Sequence, residues 1–269
     1  MKLELFTHWA ADPFYNMAFD EAMLEDAIAH PGAFLVRLYT WRPGAITIGL
    51  NQVAGRAVDL EQVGTTPIVR RATGGRALYH DESELTYSFA LNLQGTEWEG
   101  MTGSVAAVYR ELAEFLRKFL EGLGRKAVVE RGVVRSEPRP DTVDTPPCFA
   151  SSARYELKAG GKKVVASAQR QIGSAVLQHG AVKLFGIADH PALPGAGSDG
   201  ERLPALTRNQ FDAFVLEFGA RLAERWPQRE LIHSDPARLP QLETHLDTVR
   251  KSPLTRRDCF EQSSTPKGL

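Results

Sequence analysis

The stretch Arg70-Arg71-Ala72-Thr73-Gly74-Gly75-Arg76-Ala77-Leu78-Tyr79-His80 lies between an apolar run at 67–72 and another at 84–91, the pattern of a glycine loop joining two strands. Two adjacent arginines close the first strand, and a hydroxyl residue and two glycines follow. Such a loop lets backbone approach a ligand closely while cations neutralise its phosphate. A solvated hairpin turn explains the glycines, but it leaves a basic cluster beside His80 without a reason.

Outward from this loop the amino-terminal half is rich in strands. Residues 3–7, 34–39 and 45–48 are β-type runs, and Asp12-Pro13 supplies an N-cap and first-turn proline for a helix over 13–29. Between 102 and 124, Val105, Val108, Leu112, Phe115, Leu116, Phe119 and Leu123 recur at the spacing of one buried helical face. A strand over 127–134 gives way to a proline- and acid-rich loop at 136–147. Beyond it, runs at 154–157 and 163–169 flank Gly160-Gly161 as a hairpin, and 175–185 predicts one more strand. Thr207 and Gln210 form a capping box that opens a helix through about residue 226. Strands and helices intermix without regular βα alternation, so the expected class is mixed α+β, a sheet with flanking helices. Residues 1–230 are expected to form the principal domain and 231–269 a carboxy-terminal tail without strong pattern.

The 269 residues carry 32 Lys+Arg against 33 Asp+Glu, a net charge of -1 that argues against gripping a nucleic-acid backbone. With 43% hydrophobic residues the chain is neither disordered nor fibrous. Nowhere does an apolar run approach the roughly 20 residues of a membrane span, and the amino terminus does not have the pattern of a secretory signal. Two cysteines, Cys148 and Cys259, lack zinc-site spacing, and together these features point to a reducing, cytoplasmic setting with no metal and no cofactor.

Cys148 sits between Pro147 and Phe149 on the irregular loop, and the following hairpin carries Lys162 and Lys163. An ammonium group near a thiol favours the thiolate. With a period of two, Lys163 shares a face with Val165 while Lys162 points the other way, and Lys163, further inside the strand, is preferred as the inward one. His179, followed by Gly180, is a strand histidine for which a pocket position and core packing are equally open. His8, His30, His190, His233 and His245 are scattered without ligand spacing. The GxGxxG match at 195–200 follows a proline and opens no helix, so it fails the context of a dinucleotide site.

In order, RRATGGRALYHDESELTYSFAL (70–91), CFASSARYEL (148–157), GGKKVVASAQRQ (160–171) and LQHGAVKL (177–184) resemble the signature blocks of the biotin/lipoate protein ligase and octanoyltransferase family. The resemblance runs from about residue 12 to 185 and implies a curved mixed sheet with flanking helices. A cysteine placed before the hairpin makes the chain similar to LipM-type octanoyltransferases. The resemblance then implies Cys148 as acyl-thioester nucleophile and Lys163 as the residue that favours its thiolate. The matching blocks further imply Arg70, Arg71, Thr73, Gly74, Gly75, His80, Ser167, Gln169, His179 and Gly180 as substrate-binding positions. Ala166 stands where the family usually has glycine, implying a slightly narrower acyl tunnel.

The implied reaction is transfer of an octanoyl group from octanoyl-acyl carrier protein to a lysine of a lipoyl domain, in glycine cleavage H protein or a dehydrogenase E2. The basic loop would face the phosphopantetheine arm or the acidic carrier. Alternatives are an ATP-dependent lipoate ligase, an octanoyl amidotransferase between carrier proteins, and a non-catalytic module that binds acylated carriers. No nucleic-acid or membrane partner is expected.

Overall fold

The computed structural model describes residues 1–94, 105–130, 156–193 and 203–251. Asp12 accepts from the backbone N–H groups of Phe14 and Tyr15 at 3.0 and 3.1 Å, and Pro13 occupies the first turn, so α1 (Pro13–Ala29) begins where its capping residues place it. Around it run β1 (Lys2–Ala11), β2 (Phe34–Trp41), β3 (Ala45–Ile48), the short α2 (Ala54–Ala57), β4 (Ile68–Arg70), β5 (Leu78–His80) and β6 (Leu85–Asn92). There follow α3 (Val105–Gly122), β7 (Val128–Glu130), β8 (Glu156–Ala159), β9 (Lys162–Ile172), β10 (Ala175–Val182), α4 (Arg208–Arg225), β11 (Glu230–His233) and α5 (Leu242–Lys251).

Eight strands form one mixed sheet in the order β11-β1-β2-β6-β10-β9-β8-β7. β1 is parallel to both β11 and β2, and the other neighbours are antiparallel. β4, β3 and β5 make a small second sheet. Strand alternation divides the core. Phe34, Val36 and Leu38 of β2 with Tyr87, Phe89 and Leu91 of β6 pack toward α3 and α4, where Phe115, Phe119 and Phe218 meet edge to face at 4.9 and 5.0 Å. The opposite face, with Leu35, Tyr39 and Trp41, packs toward α1 and α5. Both central strands are therefore buried along their whole length.

The expected mixed α+β class is the observed one. The predicted capping box of Thr207 and Gln210 is present, and Phe211, Phe218 and Leu222 are buried beneath it. β5 and α2, three and four residues long, carry too little periodicity to be read from sequence. Residues 231–251 hold regular structure that their pattern did not suggest. β11 extends the large sheet, and α5 lays Leu242, Leu246 and Val249 against α1. No helix among the described residues is long and apolar enough to cross a membrane.

Candidate active site

Between the large sheet and the loop after β4 lies a pocket whose empty space, mouth included, comes to about 420 Å³. Sheet register builds its wall: Tyr39, Thr86, Ala181 and Ala166 stand in one row across β2, β6, β10 and β9, and all four line it. Met17, Tyr39, Trp41 and Thr86 are buried, whereas Gly75 is exposed and Arg76, Ser167 and Ala168 are half-buried. The cavity thus runs from a mouth at the glycine loop and β9 to a mostly apolar floor under α1.

The two arginines of the loop divide their work. Arg70 Nη1 donates to the carbonyls of Gly49, Leu50 and Gln52 at 3.0, 3.2 and 2.7 Å, which pins the turn after β3. Arg71 Nη2 donates to the carbonyls of Gly74 and Arg76, and its Nη1 to the carbonyl and hydroxyl of Thr47. Both side chains are only 6% exposed, so neither is the solvated arginine of a plain turn. Arg71 lines the pocket and Arg70 does not. Gly75 adopts φ +98°, a conformation that strains any side chain, and a Cβ there would sit 3.2 Å from the Arg71 guanidinium, so the backbone favours glycine and the guanidinium would have to shift slightly to admit anything larger.

Two histidines face the cavity, each held at both ring nitrogens. His179 Nδ1 lies 2.7 Å from Asp20 Oδ2 and its Nε2 lies 2.6 Å from Thr73 Oγ1. His80 Nδ1 lies 2.6 Å from Glu84 Oε1 and its Nε2 lies 2.8 Å from Thr47 Oγ1, while its ring stacks on Trp41 with centroids 4.2 Å apart. Each carboxylate has a buried cation beside it. Arg37 stands 3.6 Å from Asp20, and Lys183 contacts Glu84. Burial lowers the His80 pKa, with Lys183 and Arg71 acting in the same direction and Glu84 against it. Burial works to raise the Glu84 carboxyl, but His80 and Lys183 outweigh it and hold it at about 2.

On the other face of β9, Ser167 Oγ meets Tyr87 Oη at 2.6 Å, and Gln178 bridges Tyr87 and Gln169. Burial pushes the Tyr87 hydroxyl up to about 12, so it stays protonated. Of the positions expected from sequence, Arg71, Gly75, His80, Ser167, His179 and Gly180 line the pocket. Thr73 reaches it through His179, Gly74 is in the loop, and Arg70 and Gln169 lie behind the wall. Lys163 is half-buried and Lys162 exposed. The pairing of β9 with β8 shifts between Val165 opposite Leu157 and Lys163 opposite Lys158, so the expected alternation of Lys163 with Val165 is broken there, and Lys163 lies four residues from Ser167 along the strand, about 13 Å. Cys148, Cys259 and the GxGxxG match lie outside the described residues. Asp20, Glu84, Lys183 and Arg37 were not anticipated, although two of them leave a trace in the sequence. Asp20 falls on the apolar stripe of Met17, Met23 and Leu24, and Lys183 interrupts an apolar strand run.

The mixed sheet carries a mostly apolar pocket under a basic glycine loop. The chain's coordinates resemble a putative lipoate protein ligase of T. acidophilum with bound lipoic acid, at a TM-score of 0.65 and 18% identity, covering 96% of this chain and 98% of that one. They also resemble a lipoate-protein ligase A bound with ATP, at a TM-score of 0.64 and 19% identity, covering 93% and 95%. Residues 12–186 match the lipoyl protein ligase A/B catalytic domain, and the chain belongs to that family. Among curated relatives, the octanoyltransferase LipM of Kyrpidia tusciae is 39% identical over 175 residues, covering 63% of this chain and 61% of that protein. The octanoyltransferase LipM of Carboxydothermus hydrogenoformans is 38% identical over 170 residues, covering 62% and 59%. The match thus spans about three fifths of the length of these relatives.

Proposed function

We propose that this protein transfers an octanoyl group from octanoyl-acyl carrier protein to a lysine of a lipoyl domain, in the cytoplasm. The observation that carries the reading is the apolar pocket under the Arg71–Gly75 loop, in a family member whose curated relatives are octanoyltransferases. The Cys148 thiolate attacks the donor thioester carbonyl, the carbon–sulfur bond to the phosphopantetheine arm breaks, and the arm leaves as a thiol after taking a proton. The acceptor amine then attacks the enzyme thioester, loses a proton, and releases the Cys148 thiolate. This is covalent catalysis in ping-pong order. One thioester replaces another and an amide replaces a thioester, so no nucleotide is consumed. Lys163 favours the thiolate, while Arg71 and the Gly74-Gly75 turn hold the donor arm. The octanoyl tail fills the cavity down to Met17 and Trp41.

Incubation with octanoyl-acyl carrier protein in the absence of ATP, followed by intact mass measurement, tests the reading. An octanoyl adduct that is lost in Cys148→Ser and discharges onto a lipoyl domain is the expected result. Acylation of the lipoyl domain only when ATP is present, with Cys148→Ser fully active, refutes it in favour of a ligase. No adduct from octanoyl-acyl carrier protein, but an adduct formed from an octanoylated lipoyl domain that discharges onto a second lipoyl domain, refutes it in favour of an amidotransferase.

A further inference from the structure

The wall of the pocket contains an ion pair that the proposed chemistry does not use. Lys183 follows β10, is 3% exposed, and places its ammonium against Glu84 Oε2 and 3.1 Å from the Tyr79 carbonyl. The other oxygen of Glu84 faces His80 Nδ1 and accepts from the Thr86 hydroxyl at 2.6 Å. We infer that Lys183 is a positioning residue: by balancing the charge of Glu84 it holds His80 as the uncharged Nδ1–H tautomer in the pocket wall.

The directions of the hydrogen bonds support this. Arg71 Nη1 can only donate, so the Thr47 hydroxyl oxygen accepts from it at 2.6 Å. The Thr47 hydroxyl proton is left to point to His80 Nε2, 2.8 Å away, which accepts it when the ring is uncharged. Glu84, a carboxylate beside Lys183, can only accept, so His80 Nδ1 carries the hydrogen and donates it. Around this ring stand Glu84 from the turn before β6, Lys183 from the end of β10 and Arg71 from the loop after β4. Trp41 and Thr86 contribute neutral groups. A proton on His80 would set a third positive charge against one carboxylate in a buried wall. Among the described residues, removing Lys183 leaves Glu84 with no contacting cation except one formed on His80. An imidazolium would retain water that an apolar tail must displace; this consequence, unlike the tautomer, rests on the acyl-pocket reading.

The test is long-range proton–nitrogen NMR on histidine-labelled full-length protein, with His80 assigned by His80→Gln. Wild type should show the neutral Nδ1–H form of His80 throughout the interval of about pH 5 to 8. In Lys183→Met the protonation midpoint of His80 should rise by at least about one unit, the scale of losing a nearby like charge, and Lys183→Arg should restore the wild-type spectrum. An imidazolium or Nε2–H form in wild type, or an unchanged midpoint in Lys183→Met, overturns the inference. Should Lys183→Met not fold, Lys183→Met/Glu84→Gln removes both charges and should keep His80 neutral, and the wild-type tautomer decides on its own. Octanamide, uncharged at all these pH values, supplies a separate arm. Its affinity should be flat with pH in wild type and fall in Lys183→Met below the new midpoint. If octanamide binds neither protein, the acyl reading fails while the NMR result stands.

Discussion

Replacing Asp20 by alanine tests the charged layer beneath the pocket. Asp20 is 1% exposed; it accepts from Ser88 at 2.6 Å and Tyr39 at 3.2 Å, contacts His179 at 2.7 Å and faces Arg37 at 3.6 Å. The Arg37 guanidinium is fully buried, stacked over Tyr39 at 4.0 Å and Phe19 at 4.4 Å, and burial lowers its pKa while Asp20 works to raise it. Asp20→Ala removes this counter-charge and leaves three buried donors short of an acceptor. Three hydrogen bonds at about 1 kcal/mol each give roughly 3 kcal/mol, and an uncompensated buried charge typically costs about 3–5 kcal/mol. The terms overlap, so the expected loss is about 3–5 kcal/mol, or a fall in melting temperature of about 6–20 °C for a chain of this size. Denaturant unfolding of Asp20→Ala, Arg37→Met and the double variant should show a coupling of about 1–3 kcal/mol. A loss below about 1 kcal/mol in Asp20→Ala, or a coupling below about 0.5 kcal/mol, would refute the pairing and with it the account of how His179 is held.

Three further outcomes follow from other parts of the molecule. A Cβ on Gly180 would lie 2.5 Å from the Ala166 carbonyl and 2.8 Å from Tyr87 Oη, so Gly180→Ala should cost about 1–3 kcal/mol by thermal unfolding; an unchanged melting temperature would mean that the strands separate freely. His245 on α5 bonds Glu21 at 3.1 Å and Glu25 at 2.6 Å on α1, and its pKa is raised, first by the Glu21 hydrogen bond. A raised folded-state value means that the stabilisation is complete below the unfolded value of about 6.5 and is lost as pH rises through the folded one. His245→Ala should therefore cost up to about 1 kcal/mol at mildly acid pH and much less in alkali, and equal losses at both would contradict the clamp. Lys163→Ala should move iodoacetamide alkylation of Cys148 to higher pH, toward the free-thiol range near about 8.5, whereas an unmoved profile assigns thiolate stabilisation to another group.

The fold was legible where local signals are strong. The Asp12-Pro13 start, the Thr207–Gln210 box and the apolar faces of α3 and α4 act within a turn or two of helix, and each produced its element. Residues 242–249 carried a readable spacing at Leu242, Leu246 and Val249, but the polar residues between them hid it, and its burial depends on α1 far away in sequence. β11 has two central apolar residues and exists because β1 offers it an edge. The glycine loop was legible because paired glycines interrupt a strand and mark a turn, here beside two adjacent arginines. That Arg70 serves the turn after β3 was not, since its three acceptors lie 18 to 21 residues away.

The charged layer behind the pocket was illegible for a more general reason. Asp20 and His179 are 159 residues apart, and Thr73 and His179 are 106 apart, so no motif contains them. They meet through register. Arg37, Ser88 and His179 occupy one row across β2, β6 and β10, and all three turn toward Asp20 on α1. The next row of the same face, Tyr39, Thr86 and Ala181, opens the cavity. A slip of one residue in β10 would send His179 to the α3 side and bring Gln178 beneath the pocket, because side chains alternate with a period of two. The apolar residues on the α3 face, Val176 and Val182, oppose such a slip, since it would exchange them with Leu177 and Ala181. The packing of one sheet face therefore sets the hydrogen bonds of the other. A substitution among the phenylalanines of α3 and α4 that loosens β10 would reach the histidines without touching any residue of the site.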